Sequence, residues 1–97
     1  IGVTRPDDAR FHPKELMMGL TLEGHAVAVP VKRVLEAGEL TGTVGGTTIV
    51  ARGDQEAQSV QVFRREANGS LTRLPAFSVF WFSWVASHPQ TVVLPAS

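Results

Sequence analysis

Apolar and polar residues alternate early in the chain in the way that β-strands require. From Leu16 to Leu22 the apolar residues fall at every second position, and a second apolar run follows at 25–29. Successive side chains of a strand point to opposite faces, so a period of two indicates a strand with one buried face. Glu23-Gly24 stands between the two runs and suits a two-residue turn. The pattern predicts a β-hairpin.

A short helix is predicted directly after this hairpin. Pro30 suits the first helical position, because its missing N–H would have no partner there and its φ is preset. The next residues carry a short apolar stripe at helical spacing, which ends before Gly38: Val31, Val34 and Leu35. We therefore expect about two turns of helix.

Two further hairpins are predicted downstream. Gly45-Gly46 separates runs rich in threonine and β-branched residues at 40–44 and 47–51. Asn68-Gly69 separates an alternating run at 59–65 from another at 70–74. Both pairs favour the positive φ angles of tight hairpin turns.

The end of the chain is its most aromatic part. Both tryptophans and three of the five phenylalanines lie between Phe77 and Trp84. Phe77, Phe80 or Trp81, Trp84 and Val85 are spaced as on one face of a helix that stops at His88-Pro89. The pattern predicts a closing helix that is apolar nearly all round and packs between a sheet and another surface.

Together these elements predict an α+β fold. We expect a mostly antiparallel sheet of about six short strands in three hairpins, with one short helix after the first hairpin and the closing aromatic helix. A length of 97 residues allows one domain. We place that domain at 15–97 and an extended N-terminal arm at 1–14, where turn-forming residues replace periodic apolar ones.

Composition excludes several classes of function. Nine basic and nine acidic residues give a formal net charge of zero, so no overall field attracts nucleic acid. The absence of cysteine excludes disulfides, thiolate nucleophiles and cysteine-ligated metal centres in this chain. No apolar run reaches the roughly eighteen residues of a membrane span. We predict no nucleic-acid partner and no membrane span.

The candidate metal ligands are the three histidines, His12, His25 and His88. Their spacing is too wide for a preformed site, so a shared site would arise only through folding. His88 stands where the closing helix should end. There an imidazole can be a ligand or proton carrier, or it can satisfy the last carbonyls of the helix, and we favour the second interpretation.

No constellation of catalytic residues is recognisable, and we predict neither catalytic residues nor a cofactor. No serine lies in a Gly-x-Ser-x-Gly turn, and the carboxylates fall mostly in predicted turns and helix ends. The aromatic segment could be a stacking platform, but its neighbours are apolar, which favours a core or an interface. The candidate interface residues are Phe80, Trp81, Phe82 and Trp84.

Several short motifs, in the same order as the predicted elements, resemble the DUF3179 family. They are Met18-Gly19-Leu20, the run Gly24-His25-Ala26-Val27-Ala28-Val29-Pro30, Thr43-Val44-Gly45-Gly46-Thr47, and Phe80-Trp81-Phe82-Ser83-Trp84 followed by His88-Pro89-Gln90-Thr91. The resemblance covers about residues 14–94. It implies a domain of unknown function from bacterial or archaeal proteins that look exported, and therefore an extracytoplasmic location.

The chain departs from the family at one place. Many members carry a Cys-Pro-Leu-Cys-like motif after the strand that follows the Gly-Gly turn, whereas Ala51-Arg52-Gly53-Asp54 stands here. Longer members hold two related halves, and this chain resembles a single C-terminal half without the cysteines. A redox or metal role carried by those cysteines is therefore not expected in this chain.

Two hypotheses about function follow. The first is a non-enzymatic extracytoplasmic structural or interaction module, a small subunit that docks on a larger protein or assembly through the closing helix and the N-terminal arm, with homo-oligomerisation as a further option. The second is a metal- or haem-associated redox accessory, in which His88 with His12 or His25 supplies ligands to a centre largely held by a partner.

Overall fold

The computed structural model describes residues 10–95. Within that range the elements are β1 (Leu16–Leu22), β2 (His25–Pro30), α1 (Val31–Ala37), β3 (Glu39–Val44), β4 (Thr47–Asp54), β5 (Ser59–Arg65), β6 (Leu71–Leu74), β7 (Phe77–Phe80), α2 (Trp81–Ser87) and β8 (Val92–Val93). The α+β class is confirmed, and the three predicted hairpins are β1–β2, β3–β4 and β5–β6.

The strands of residues 10–95 form two four-stranded sheets rather than one sheet. The first has the order β7-β1-β2-β8, and the second is the meander β3-β4-β5-β6. All neighbouring strands are antiparallel except β2 and β8, which are parallel. The expectation of a single sheet is wrong because strand alternation predicts which residues form strands, whereas the partner of each strand depends on contacts distant in sequence.

The main core packs the two sheets and α1 together. One face of the β1–β2 hairpin contributes Leu20, Leu22, Val27 and Val29, and these contact buried residues of the second sheet and of α1: Val31, Val34, Val44, Ile49, Ala51, Val60 and Val62. The turn between β3 and β4 is as predicted, since Gly45 and Gly46 have φ angles of 57° and 82°. In β1 and β2, the alternation of apolar residues decides which face of the first sheet packs against the second sheet.

A smaller core lies on the opposite face of the first sheet. There Met17 of β1 and Ala28 of β2 are covered by α2, which contributes Trp81, Trp84 and Val85. Successive residues of a strand point to opposite faces, so neighbours such as Met17 and Met18 belong to different cores. The first sheet is thus covered on both faces, by α2 on one and by α1 and the second sheet on the other.

The closing segment differs from its prediction in two ways. The helix begins only at Trp81, because Phe77–Phe80 forms β7 and pairs antiparallel with β1 from Leu16 to Gly19. After the helix, Val92 and Val93 add the parallel strand β8 to β2, which the sequence did not predict. The four residues Phe-Ser-Val-Phe fit the spacing of a helix as well as that of a strand. Their pairing with β1 favours the strand.

The N-terminal arm contacts α2 in the part that the structure describes. The predicted arm spans 1–14, of which residues 1–9 lie outside the described range. Phe11 packs edge-on against Trp81, with ring centroids 5.1 Å apart. The carbonyls of Pro13 and Glu15 accept hydrogen bonds from the N–H groups of Phe82 and Trp81, each at 2.9 Å. Pro13 of the arm and Glu15, the residue after it, thereby satisfy two of the N–H groups that the first turn of a helix leaves unpaired.

Candidate functional site

The four predicted interface residues are divided between the core and the surface. Trp81 is 0% exposed and Trp84 is 2% exposed, whereas Phe80 is 45% exposed and Phe82 is 41% exposed. The two tryptophans pack on Met17 and Ala28 of the first sheet. They stabilise the domain and are not accessible to a partner, so Phe80 and Phe82 remain as candidates.

Trp84 is the centre of the buried half of the closing segment. Its indole Nε1–H donates a buried hydrogen bond of 2.8 Å to Oγ1 of Thr91. The ring of His88 stacks on the indole with centroids 3.9 Å apart and planes inclined by 24°. On the sheet side, a Cβ at Gly19 would lie 2.7 Å from two carbons of the indole ring. A glycine in β1 is therefore required for the indole to approach this closely.

His88 ends α2 as predicted. Its backbone N–H donates to the carbonyl of Trp84 at 2.8 Å, and its own carbonyl accepts from the N–H of Thr91 at 3.1 Å. Among residues 10–95, no group accepts from or donates to Nδ1 of the His88 ring. The ring itself packs on Trp84 rather than capping the helix, so the capping is done by the backbone.

The structure brings two of the three histidines to one cleft. His25 and His88 both line an open cleft of about 270 Å³, together with Gly24, Ala26, Pro89 and Gln90. His12 does not line this cleft, and its Nδ1 accepts a hydrogen bond of 3.0 Å from the N–H of Lys14. Within the described range, no three side chains of His, Cys, Asp or Glu are grouped as a metal site requires. A three-histidine site is thus not formed.

Exposed apolar side chains are concentrated where β7 meets β1 and α2. In the described part of the chain, the large apolar side chains classed as exposed are Leu16, Phe77, Phe80 and Phe82. Phe80 lies opposite Leu16 in the β1–β7 ladder, and its ring is stacked against that of Phe82 with centroids 6.4 Å apart. We call these four residues the aromatic edge.

The aromatic edge coincides with an open side of the sheet. Among residues 10–95, β7 pairs with β1 on one side and with no strand on the other. The N–H of Trp81 donates to the carbonyl of Glu15, and hydrogen-bonding positions alternate along an antiparallel ladder. Phe77 and Val79 therefore direct their N–H and C=O groups to β1. Ser78 and Phe80 direct theirs away from it, and the carbonyl of Phe80, the N-cap residue of α2, also accepts the first hydrogen bond of that helix.

Comparison with protein-family models gives one result. The model described as "Protein of unknown function (DUF3179)" matches residues 1–91. The chain belongs to the DUF3179 family. Comparison with curated proteins and with solved structures found no match. Membership confirms the resemblance seen in the sequence.

Several motifs that carry the DUF3179 resemblance have structural roles here. Gly19 makes room for Trp84, and Trp84 holds His88 and Thr91 through stacking and a hydrogen bond. Ala51-Arg52-Gly53-Asp54 is the end of β4. Gly19, Trp84, His88 and Thr91 thus have packing or hydrogen-bonding roles in the fold.

Sequence reasoning missed Leu16 and Phe77 as members of the aromatic edge. Phe77 is 57% exposed although it packs edge-on against Trp84. The available signal was that residues 77–80 alternate and contain neither a charge nor a proline, which is typical of a strand. This signal does not show that the strand lies at the edge of a sheet.

No helix in the described range has the length and apolar character that a membrane crossing requires.

Proposed function

We propose that this DUF3179 chain is a non-enzymatic, extracytoplasmic interaction module that docks on a larger assembly through its aromatic edge. The observation that carries the proposal is the exposure of Phe77 and Phe80 on β7 and of Phe82 just after it, where the outer edge of β7 is open among residues 10–95. Several exposed aromatic side chains close to one strand edge of a small domain favour an interaction site. The extracytoplasmic location rests on the family resemblance alone.

The division of the closing segment supports this proposal. Trp81 and Trp84 fix α2 on the sheet, and Phe82 extends from the same helix into solvent beside Phe80. Rings held on rigid elements lose little conformational entropy on binding, which favours aromatic side chains as interface anchors. The buried Trp81 and Trp84 therefore hold the exposed Phe80 and Phe82 in a fixed position.

Two experiments on the cells that naturally produce the protein test the proposal: isolation of the chain with its bound proteins, and cell fractionation. The wild-type chain and the variant Phe80→Ser/Phe82→Ser are isolated with bound proteins, beside the control variant Thr43→Ser/Thr72→Ser on exposed positions of the other sheet. We expect a stoichiometric partner with the wild type and the control and its loss with the aromatic variant. Equal recovery with all three proteins contradicts docking through the aromatic edge. Recovery of the protein from the cytoplasmic fraction contradicts the location.

One observation favours the competing function, a metal- or haem-associated redox accessory. His25 and His88 both line the same open cleft. Imidazole nitrogen is a common ligand of zinc, copper and iron, and two ligands from this chain would leave the others to a partner. Titration of the purified chain with Zn²⁺ tests this role. Binding that is lost in both His25→Ala and His88→Ala supports it, and an absence of binding by the wild type contradicts a site in this chain alone.

A further inference from the structure

We infer that the occupant of the aromatic edge is a second copy of this chain, whose β7 pairs antiparallel with β7 of the first. The inference rests on the proposed docking function and identifies its partner. Its basis is the set of backbone groups that the edge leaves open. A strand edge is completed most directly by another strand, because each open N–H and C=O then finds a partner.

β7 differs from the other sheet edges of the described range. The edge strand β3 carries Glu39, the edge strand β6 carries Arg73, and β8 is only two residues long. Charged residues and short strands are the usual means by which proteins prevent edge-to-edge pairing. β7 reads Phe-Ser-Val-Phe and has neither a charge nor a proline. It therefore has no charge or proline that would prevent pairing, and its four residues equal the length of β6.

The open groups of β7 match those of a second β7. Ser78 and Phe80 direct their N–H and C=O groups outward, and two antiparallel copies can align these positions about a two-fold axis at Val79. The N–H of Ser78 then donates to the carbonyl of Phe80 in the second copy, which accepts it through its second lone pair beside the first bond of α2. The N–H of that Phe80 donates to the carbonyl of Ser78. The symmetry repeats both bonds, as an isologous interface requires.

The area available suits a weak dimer. Phe77, Phe80 and Phe82 are 57%, 45% and 41% exposed, which corresponds to roughly 200–350 Å² of ring surface per copy if a phenylalanine carries about 150–250 Å². Two copies can therefore bury about 400–700 Å² of ring surface, to which Leu16 and the strand backbones add, and an interface of this size is in the weak, transient class. The net charge of zero adds no long-range repulsion between copies.

Sedimentation velocity of the purified 97-residue chain tests the inference. We expect a monomer–dimer equilibrium between about 5 and 500 μM, because an interface of this size is weak. Ser78→Pro removes an outward N–H and leaves the bonds from Phe77 and Val79 to β1. We expect it to raise the dissociation constant about tenfold or more, because two symmetric hydrogen bonds are lost. Circular dichroism verifies that the variant is folded.

Cross-linking tests the register without depending on a proline. The chain contains no cysteine, so Val79→Cys introduces one thiol, which faces its own copy across the two-fold axis. Residues in a non-hydrogen-bonded antiparallel pair have Cα atoms about 4.5 Å apart, within the range of a disulfide. We expect Val79→Cys to form dimers at least about ten times faster under mild oxidation than the exposed control Ala57→Cys, whose thiols meet only by random collision.

Each outcome decides the inference. A concentration-dependent dimer that Ser78→Pro weakens and Val79→Cys traps supports it. A monomer at all concentrations overturns it, and so does a dimer that neither variant affects. In these cases the aromatic edge is left for a strand of another protein, and the isolation experiment with Phe80→Ser/Phe82→Ser still tests the docking function separately.

Discussion

The indole N–H of Trp84 donates a buried hydrogen bond of 2.8 Å to the hydroxyl of Thr91. This bond connects α2 to the segment that leads into β8, across the turn at His88-Pro89. Thr91 is 5% exposed and Trp84 is 2% exposed, so neither group can exchange its partner for water without opening the core. The segment around His88 looks like a candidate ligand site in the sequence. In the structure, the bond between Trp84 and Thr91 holds this segment on α2.

Removing either partner of this bond should destabilise the protein. Thr91→Val keeps the side-chain shape and leaves the buried indole N–H without an acceptor, which costs about 1–3 kcal/mol of unfolding free energy. For a domain of this size that lowers Tm by about 4–8 °C per kcal/mol. The control Thr72→Val, at an exposed position of β6, should change stability by less than about 0.5 kcal/mol. Equal stability of the two variants in thermal denaturation would show that the bond contributes nothing.

Gly19→Ala should destabilise the protein by a different mechanism. The new methyl group would lie 2.7 Å from the Trp84 ring, and such overpacking costs about 1–3 kcal/mol. Trp84→Leu combined with Gly19→Ala should cost less than the sum of the single changes, because the smaller side chain leaves room for the methyl group. Additive effects in denaturant titrations would contradict a steric conflict between these two residues.

Phe11 should stabilise α2 from the N-terminal arm. Its ring packs on Trp81 and lies under the guanidinium of Arg33, with Cζ 4.9 Å from the ring centroid. Since both contacts are lost together, we expect Phe11→Ala to lower the unfolding free energy by about 1–3 kcal/mol. Phe11→Leu should recover part of it. Unchanged stability in Phe11→Ala would mean that the arm does not contribute to the domain.

Unlike the preceding variants, Phe80→Ser/Phe82→Ser should leave stability nearly unchanged and should abolish partner binding. Both side chains are exposed, and substitutions at exposed positions usually change stability by less than about 0.5 kcal/mol each. We therefore expect a Tm near that of the wild type, together with the loss of partner binding proposed above. A large drop in Tm would place these rings in the core of the fold and remove them as docking residues.

The parts of the fold that depend on neighbouring residues could be predicted from the sequence. The alternation at 16–22, the proline before α1 and the glycine pair at 45–46 specify strands, a helix start and a turn through local geometry alone. The pairing of β7 with β1 and of β8 with β2 depends on contacts distant in sequence, so it was missed. The helix that was predicted from Phe77 therefore begins four residues later.

The candidate site was predicted in part for the same reason. The aromatic concentration correctly indicated a segment that organises the fold, and four of its residues were proposed as one interface. Their division into the buried Trp81 and Trp84 and the exposed Phe80 and Phe82 depends on where the strand ends and the helix begins. An error of four residues at that boundary changes which side chains face the sheet.

The central claim is that β7 is an open strand edge beside a fixed aromatic surface. Residue-resolved amide hydrogen exchange of the dilute, monomeric chain tests it most directly. We expect slow exchange at Phe77 and Val79, whose N–H groups donate to β1, and fast exchange at Ser78 and Phe80, whose N–H groups point outward. Exchange at Ser78 and Phe80 as slow as that at Val79 would show that the edge is already covered, and would contradict the account.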